Sequence, residues 1–220
     1  MKKTVRRPNA PHRLRRPVDK FDDRRAELAA AALKTLAELG YARTSLREIA
    51  QNTEFSHGVL HYYFADKFEL IMFCVRQYKV ECVKRYDEAV ASAKSASELV
   101  ERFAQAMVAT LRADAFLHRL WYDLRTQSLF EPSFRGDVAE IDLSLERMIW
   151  RVVSEYARLA GAPLAVESPL AYALFDGMFE QALRKQLHGD RHAGRALAAH
   201  IAQTLPTLLG TRRSPRRARG

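Results

Sequence analysis

The sequence predicts an all-α protein of nine helices, and three observations carry that expectation. Across 220 residues there is no sustained alternation of β-branched residues of the kind that marks a strand. Apolar residues recur instead at three- and four-residue spacing. Only nine Gly and eight Pro punctuate the chain, several of them where that spacing breaks off. With 48% hydrophobic residues there is enough apolar material for a sizeable core in one or two compact domains.

The elements can be justified in order. The first helix is expected near 22–39, with Leu28, Ala32, Leu36 and Leu39 on one face and Gly40 as its stop. Two short helices follow, near 46–53 and 57–63. Ser45 and Glu48 make an S-x-x-E capping box for the first, whose inner face is Leu46, Ile49 and Ala50. Ser56 caps the second, whose inner residues are Leu60 and Phe64. A long fourth helix opens at Asp66, with Glu69 as its capping-box partner, and runs to about Ala91. Further helices are expected near 97–112, 114–128, 135–160, 168–187 and 191–209. Ser95 and Glu98 open the first of these, Pro132 precedes the longest, and Gly161-Ala162-Pro163 ends it. Ser168-Pro169 supplies an N-cap followed by proline at the first helical position, and Pro206 should kink or end the last helix.

The formal charge of +10 is unevenly placed. Residues 1–20 hold eight Lys/Arg and one acid, and residues 211–220 hold five Arg and no acid, which leaves −2 for the body. Both ends are too polar to repay ordering entropy, so they are expected to be a flexible basic arm and tail around a near-neutral body. Cys74 and Cys82 are too few for a disulfide framework, and on one helix they stand ~12 Å apart, beyond bridging distance. A reducing, cytoplasmic setting fits. No apolar run approaches the ~18 residues a membrane span needs. The pairs Arg6-Arg7 and Arg15-Arg16 lack the apolar stretch that an export signal requires after them.

Two short capped helices, a tight turn and a longer preceding helix make a helix-turn-helix, whose second helix enters a DNA major groove by its first turns. His57, Gly58, Val59, His61 and Tyr62 are then placed to meet base edges or thymine methyls, Gly58 allowing close approach. Tyr63, Lys67 and Thr44 suit phosphate oxygens, and the helix N-termini at Ser45 and Ser56 add backbone amides. His57 and His61 have the spacing of metal ligands but lack the Glu of H-E-x-x-H, so no metal site is assigned. Residues 21–70 hold six basic and eight acidic side chains, so a basic field has to come from the N-terminal arm.

At Thr44, Ile49-Ala50, Phe55-Ser56, Gly58, Leu60, Tyr63-Phe64, Lys67 and Leu70 the sequence resembles the tetracycline-repressor (TetR) family of bacterial transcriptional regulators. The specific part of the resemblance covers about 24–75. It departs at Thr53, Glu54, Phe55 and His61, where the family usually has Ala, Gly, Val and Tyr. Glu54 falls at a turn position where the family's glycine favours positive φ. The resemblance implies a DNA-binding head over 21–70, an effector-binding and dimerisation domain over 71–210, and a homodimer formed through the last two helices. A two-fold dimer reads a near-palindromic operator, and a repressor of this kind releases it when a small effector binds.

The six later helices carry many large apolar residues, including Phe103, Met107, Phe175, Met178 and Phe179, which suit either a plain core or a cavity for an apolar ligand. Trp121, Leu124, Arg125 and Ser128 share a stripe, and Arg125 there needs a partner such as Asp176 or an anionic ligand. Trp121 and Tyr122 could equally hold a cation, which leaves the ligand's charge open. Leu170, Leu174, Ala182, Leu197, Ile201 and Leu205 fall on apolar faces of the last two helices. No nucleotide-binding, nucleophile-elbow, C-x-x-C or metal-binding motif is present, so no catalytic residue and no cofactor is assigned. A helical ligand-binding protein or enzyme with an incidental helix-turn-helix, and a sequence-blind architectural DNA binder, remain as alternatives.

Overall fold

The computed structural model describes residues 17–40 and 44–211. The expected flexible arm and tail therefore lie, apart from 17–20 and 211, outside the described residues. Among those residues there are nine α-helices: α1 (Pro17–Leu39), α2 (Leu46–Gln51), α3 (His57–Tyr63), α4 (Lys67–Ser92), α5 (Ala96–Ala113), α6 (Ala115–Gln127), α7 (Arg135–Ala160), α8 (Ser168–Leu187) and α9 (Ala193–Thr207). A short 3-10 turn, Pro132–Phe134, leads into α7. There is no strand among the described residues, only an isolated bridge between Leu164 and Leu209. No helix there is long and apolar enough to cross a membrane.

Local chemistry accounts for most of the boundaries. Gly40 and Gly161 end α1 and α7 with φ of 78° and 62°, a left-handed conformation that glycine adopts without a Cβ clash. Ser45 and Glu48 form the full reciprocal box expected of them. The Asp66 and Ser95 side chains accept from the Glu69 and Glu98 amides, and each glutamate reaches back one residue further than a capping box, to the amides of Ala65 and Lys94. Two expectations are corrected. α1 begins at Pro17, inside the segment expected to be a flexible arm, because a proline at the first helical position forfeits no hydrogen bond. Ser168 is the first residue of α8, and Glu167 occupies the N-cap without a side-chain bond. Pro206 lies in the last turn of α9, which ends one residue later.

Packing joins these elements through α4. α1 lies against α4 and α6, α4 against α5 and α7, and α8 against α7 and α9. At ~1.5 Å per residue the 26 residues of α4 span ~39 Å. Its first turns bury Leu70 and Ile71 beside α1, and its later turns bury Cys82 and Tyr86 among α5 and α7. One continuous apolar cluster thus runs from Leu28 to Leu208, with α4 as the member common to both ends. Cys74 and Cys82 are both buried and free.

Candidate DNA-reading helices and effector cavity

The helix-turn-helix is held from inside by Leu46, Ile49, Phe55, Leu60 and Phe64, all buried. Ile49 and Leu60 are wholly buried, and each such side chain contributes about 1.5–3 kcal/mol of transfer free energy. α1 clamps the unit from outside. The Arg24 guanidinium lies 4.8 Å over the Phe55 ring, and that of Arg25 lies 4.7 Å over Phe64 while bonding Glu69 at 2.5 Å. These contacts fix α3 against the start of α4.

With its apolar residues turned inward, α3 leaves His57, Gly58, His61 and Tyr62 exposed and Val59 half-buried. Tyr62 is 73% exposed, while Tyr63 is half-buried, its ring 4.8 Å from Phe21 of α1. The His57 and His61 rings meet edge to face at 4.4 Å, and no group of three metal-ligating side chains occurs among the described residues. Ser45 and Ser56 are exposed and occupied as caps. Lys67 is half-buried at the start of α4. Thr44 is buried, and its hydroxyl donates to the Gly40 carbonyl at 2.7 Å, closing the turn after α1 instead of facing outward. The expectation for Glu54 is also corrected: no non-glycine residue among those described has positive φ, so this turn is made without the left-handed residue.

The second site is a cavity of about 40 Å³ between α4, α5, α6, α7 and α8. Of the residues expected to line it, Met107, Trp121, Tyr122, Phe175 and Phe179 do so. Phe103, Arg125 and Met178 do not. Phe103 stands behind Phe175 in edge-to-face contact at 5.4 Å. Met178 faces α9, where its Sδ accepts from the Thr204 hydroxyl at 3.7 Å. Arg125 is withdrawn into ion pairs with Asp176 at 2.6 Å and Asp142 at 3.5 Å, so Asp176 is indeed its partner. Sequence reasoning missed Lys79, Cys82, Tyr86 and Tyr172, all of which border the cavity. One signal was available: Val75, Lys79, Cys82 and Tyr86 follow a four-three-four spacing, which places a lysine within an apolar stripe.

The polar groups around this cavity form two sets. Tyr122 donates to Asp176 at 3.0 Å and Tyr172 to Asp142 at 2.6 Å, so both carboxylates are matched by Arg125 and a phenol. The other set starts at Lys79, 4% exposed, whose Nζ lies 3.4 Å from His118 Nδ1. An ammonium can only donate, so Nδ1 accepts and the proton of neutral His118 sits on Nε2, 2.9 Å from the Tyr78 hydroxyl. Asp114 lies beyond Tyr78 and is paired by Arg85 at 2.5 Å near the surface. Burial lowers the Lys79 pKa to about 8, and burial followed by the Lys79 charge holds His118 well below the usual imidazole range.

Comparison with known proteins agrees with this architecture. Residues 28–72 match the family described as "Bacterial regulatory proteins, tetR family". The chain is 28% identical over 197 residues to the HTH-type transcriptional regulator BetI of Burkholderia thailandensis, covering 86% of this chain and 95% of that protein. A 32% identical match to BetI of Rhizobium meliloti spans 93 residues, 42% of this chain and 44% of that one. Among solved structures, a putative transcriptional regulator from Saccharomonospora viridis in complex with choline superposes with a TM-score of 0.70 at 16% identity, over 87% of this chain and all of that one. FadR from Bacillus subtilis in complex with stearoyl-CoA gives 0.68 at 17% identity, over 82% and 96%. The profile falls on α1 to α4, which hold the capped helix pair, and the likeness in fold extends through α9, which together support a regulator of the tetR family.

Proposed function

We propose that the protein is a ligand-responsive, dimeric transcriptional regulator, a repressor released from a near-palindromic operator by a small, largely apolar effector. One observation carries the DNA reading: α3 buries Leu60, half-buries Val59 and Tyr63, and leaves His57, Gly58, His61 and Tyr62 exposed. A Cβ at Gly58 would meet only Ser56 Oγ at 4.0 Å, so nothing within the fold requires glycine there. Close approach of a partner backbone does. In this reading His57, Val59, His61 and Tyr62 meet base edges, and Tyr63, Lys67, Ser45 and Ser56 meet phosphates. Thr44 holds the turn and takes no phosphate.

The division of labour follows α4. Residues 21–70 form the reading head, and 71–210 form the effector and dimerisation domain. An effector larger than a water or two has to enlarge a cavity of about 40 Å³. Met107 and Met148 in its wall can yield, but α4 forms another side, and any shift of α4 moves the head that packs on its first turns. For the dimer, Leu170 and Leu174 are 53% and 38% exposed on α8, with exposed Ala173 and Gly177 beside them. This apolar face with small residues suits a two-fold helix contact. Ala182, Leu197, Ile201 and Leu205 are buried within the protomer and take no part in that face.

A gel-shift titration on DNA flanking the protein's own gene tests the reading. Sequence-preferring binding is expected. Tyr63→Phe and Lys67→Ala should weaken matched and mismatched sites alike, while His57→Ala or His61→Ala should alter preference by about 1–3 kcal/mol at a base pair. Equal losses on both kinds of site for all four variants would contradict the assignment. Binding that is steeply salt-dependent and blind to operator competitor would show a non-specific binder instead.

A further inference from the structure

The polar inventory of the cavity is unbalanced in one direction. Asp176 and Asp142 are the acids next to it, and Arg125, Tyr122 and Tyr172 already answer both. On the other side of the cavity the Lys79 ammonium is 4% exposed and has no carboxylate within ion-pair distance among the described residues. Its one hydrogen-bond partner, His118 Nδ1, sits at a long 3.4 Å and takes one of three N–H groups. The Trp121 ring lies 5.2 Å from the same Nζ, and its indole N–H is buried with no acceptor. Buried donors without acceptors are costly, and a buried cation without a counter-ion more so, unless an incoming group satisfies them.

Two neighbouring unmatched donors, one of them charged, on the wall of a cavity whose other polar groups already have partners define what is missing: an acceptor with negative charge. Resting on the reading of this cavity as the effector site, we propose that it takes the carboxylate of an organic acid, bound by Lys79 Nζ and the Trp121 indole N–H, with the acid's apolar part among Met107, Met148, Ile149 and Phe179. A carboxylate offers up to four acceptor positions, enough for the free ammonium hydrogens and the indole together. The apolar walls then select a short aliphatic or aryl acid over a hydrophilic one. A quaternary ammonium such as choline is disfavoured here, because it would meet a buried lysine and two carboxylates whose charge Arg125 already answers. The ligand thereby enters the chain from Lys79 on α4 to His118 on α6. A carboxylate that draws Nζ away from Nδ1 loosens a tie between the helix carrying the head and the helix beside α1.

The test uses the full chain without DNA. Melting midpoints and titration calorimetry are recorded with straight-chain carboxylates from acetate to decanoate and with phenylacetate, each against its primary amide, and with choline. At least one carboxylate should raise the midpoint and bind about tenfold tighter than its amide, as a charge-assisted bond predicts. Lys79→Met should erase that preference while the ligand-free protein melts higher, Lys79→Arg should keep it, and Trp121→Phe should reduce it several-fold. An amide that binds as well as its acid, choline that binds more tightly than any acid, no response to any acid, or a preference that survives in Lys79→Met overturns the proposal. If Lys79→Met does not fold, the acid-against-amide comparison on the unsubstituted protein still decides. A gel shift run separately divides the two readings. Acid binding without DNA binding sinks the regulator and leaves the ligand class, whereas DNA binding with no acid response does the opposite.

Discussion

The reading head and the cavity solve opposite problems with the same helices. α3 keeps its working side chains in water and only its scaffold inside, so His57, His61 and Tyr62 keep their solvation until a partner arrives. Around the cavity Lys79 and His118 are buried and Tyr122 and Asp176 half-buried, and each depends on a protein neighbour. The difference implies that the exposed side chains of α3 can be exchanged with little effect on stability, whereas almost any change at the cavity alters stability and ligand preference together.

The largest break in this comparison comes from matched truncations. Phe175→Ala removes a wholly buried ring from the cavity wall and should destabilise by about 3–5 kcal/mol. Leu60→Ala removes a wholly buried side chain from α3 and should cost about 2–5 kcal/mol. Chemical denaturation measures both. At a temperature where both proteins remain folded, the Phe175 variant should keep operator preference and the Leu60 variant should lose it. If the two lose DNA affinity equally, head and cavity form a single mechanical unit and the contrast fails.

A second effect, of about 3 kcal/mol at most, sharpens the buried side. With Lys79 held at about 8 in the fold and near 10.5 when unfolded, the unfolded chain binds the extra proton between those values. Unfolding free energy therefore rises with pH across that window, and the penalty of the buried cation is fully present below pH 8. Burial is the main cause. Cys82 on α4, Asp176 on α8 and Asp142 on α7 work against it, and Arg125 on α6 adds to it. Cys74, Cys82, Tyr78, Tyr86, Tyr122 and Tyr172 are all pushed up by burial and oppose the rise from about pH 9 upward. The quantity to measure is thus the difference between Lys79→Met and the unsubstituted protein. It should favour the variant near pH 7 and shrink toward pH 10, and a difference independent of pH would remove Lys79 as its source.

The same contrast explains what the sequence made legible. The head is a local object: Ser45 with Glu48, Ser56, Ile49 and Leu60 lie within sixteen residues, and cap rules with apolar spacing place each of them. The cavity draws on five helices between Lys79 and Phe179, and spacing within a helix says which face is apolar but not which neighbour it meets. Arg125 and Phe103 were expected in the lining for that reason, since both sit on inward faces yet stand one layer back. Glu54 fails differently. A family glycine suggested positive φ, but the turn Asn52 to Phe55 closes with ordinary backbone, Asn52 at φ −104° and its side chain donating to the Glu48 carbonyl at 2.8 Å.

The smallest expected effect tests how far the head's rigidity rests on its caps. Ser45 is bonded in both directions, accepting from the Glu48 amide at 3.2 Å while its own amide donates to the Glu48 carboxylate at 2.8 Å. Ser56 makes a single bond, from the Val59 amide at 3.3 Å. Loss of a capping side chain costs about 0.5–2 kcal/mol, and the reciprocal arrangement places Ser45→Ala above Ser56→Ala within that range. Denaturation midpoints should follow that order. DNA affinity should run the other way, because in the proposed reading Ser56 opens the helix that enters the groove while Ser45 opens the one behind it. Since neither residue touches the cavity, binding of a carboxylate should be unchanged in both variants. A cap substitution in α2 or α3 that alters ligand affinity would mean that coupling through α4 runs from the head to the cavity even without DNA.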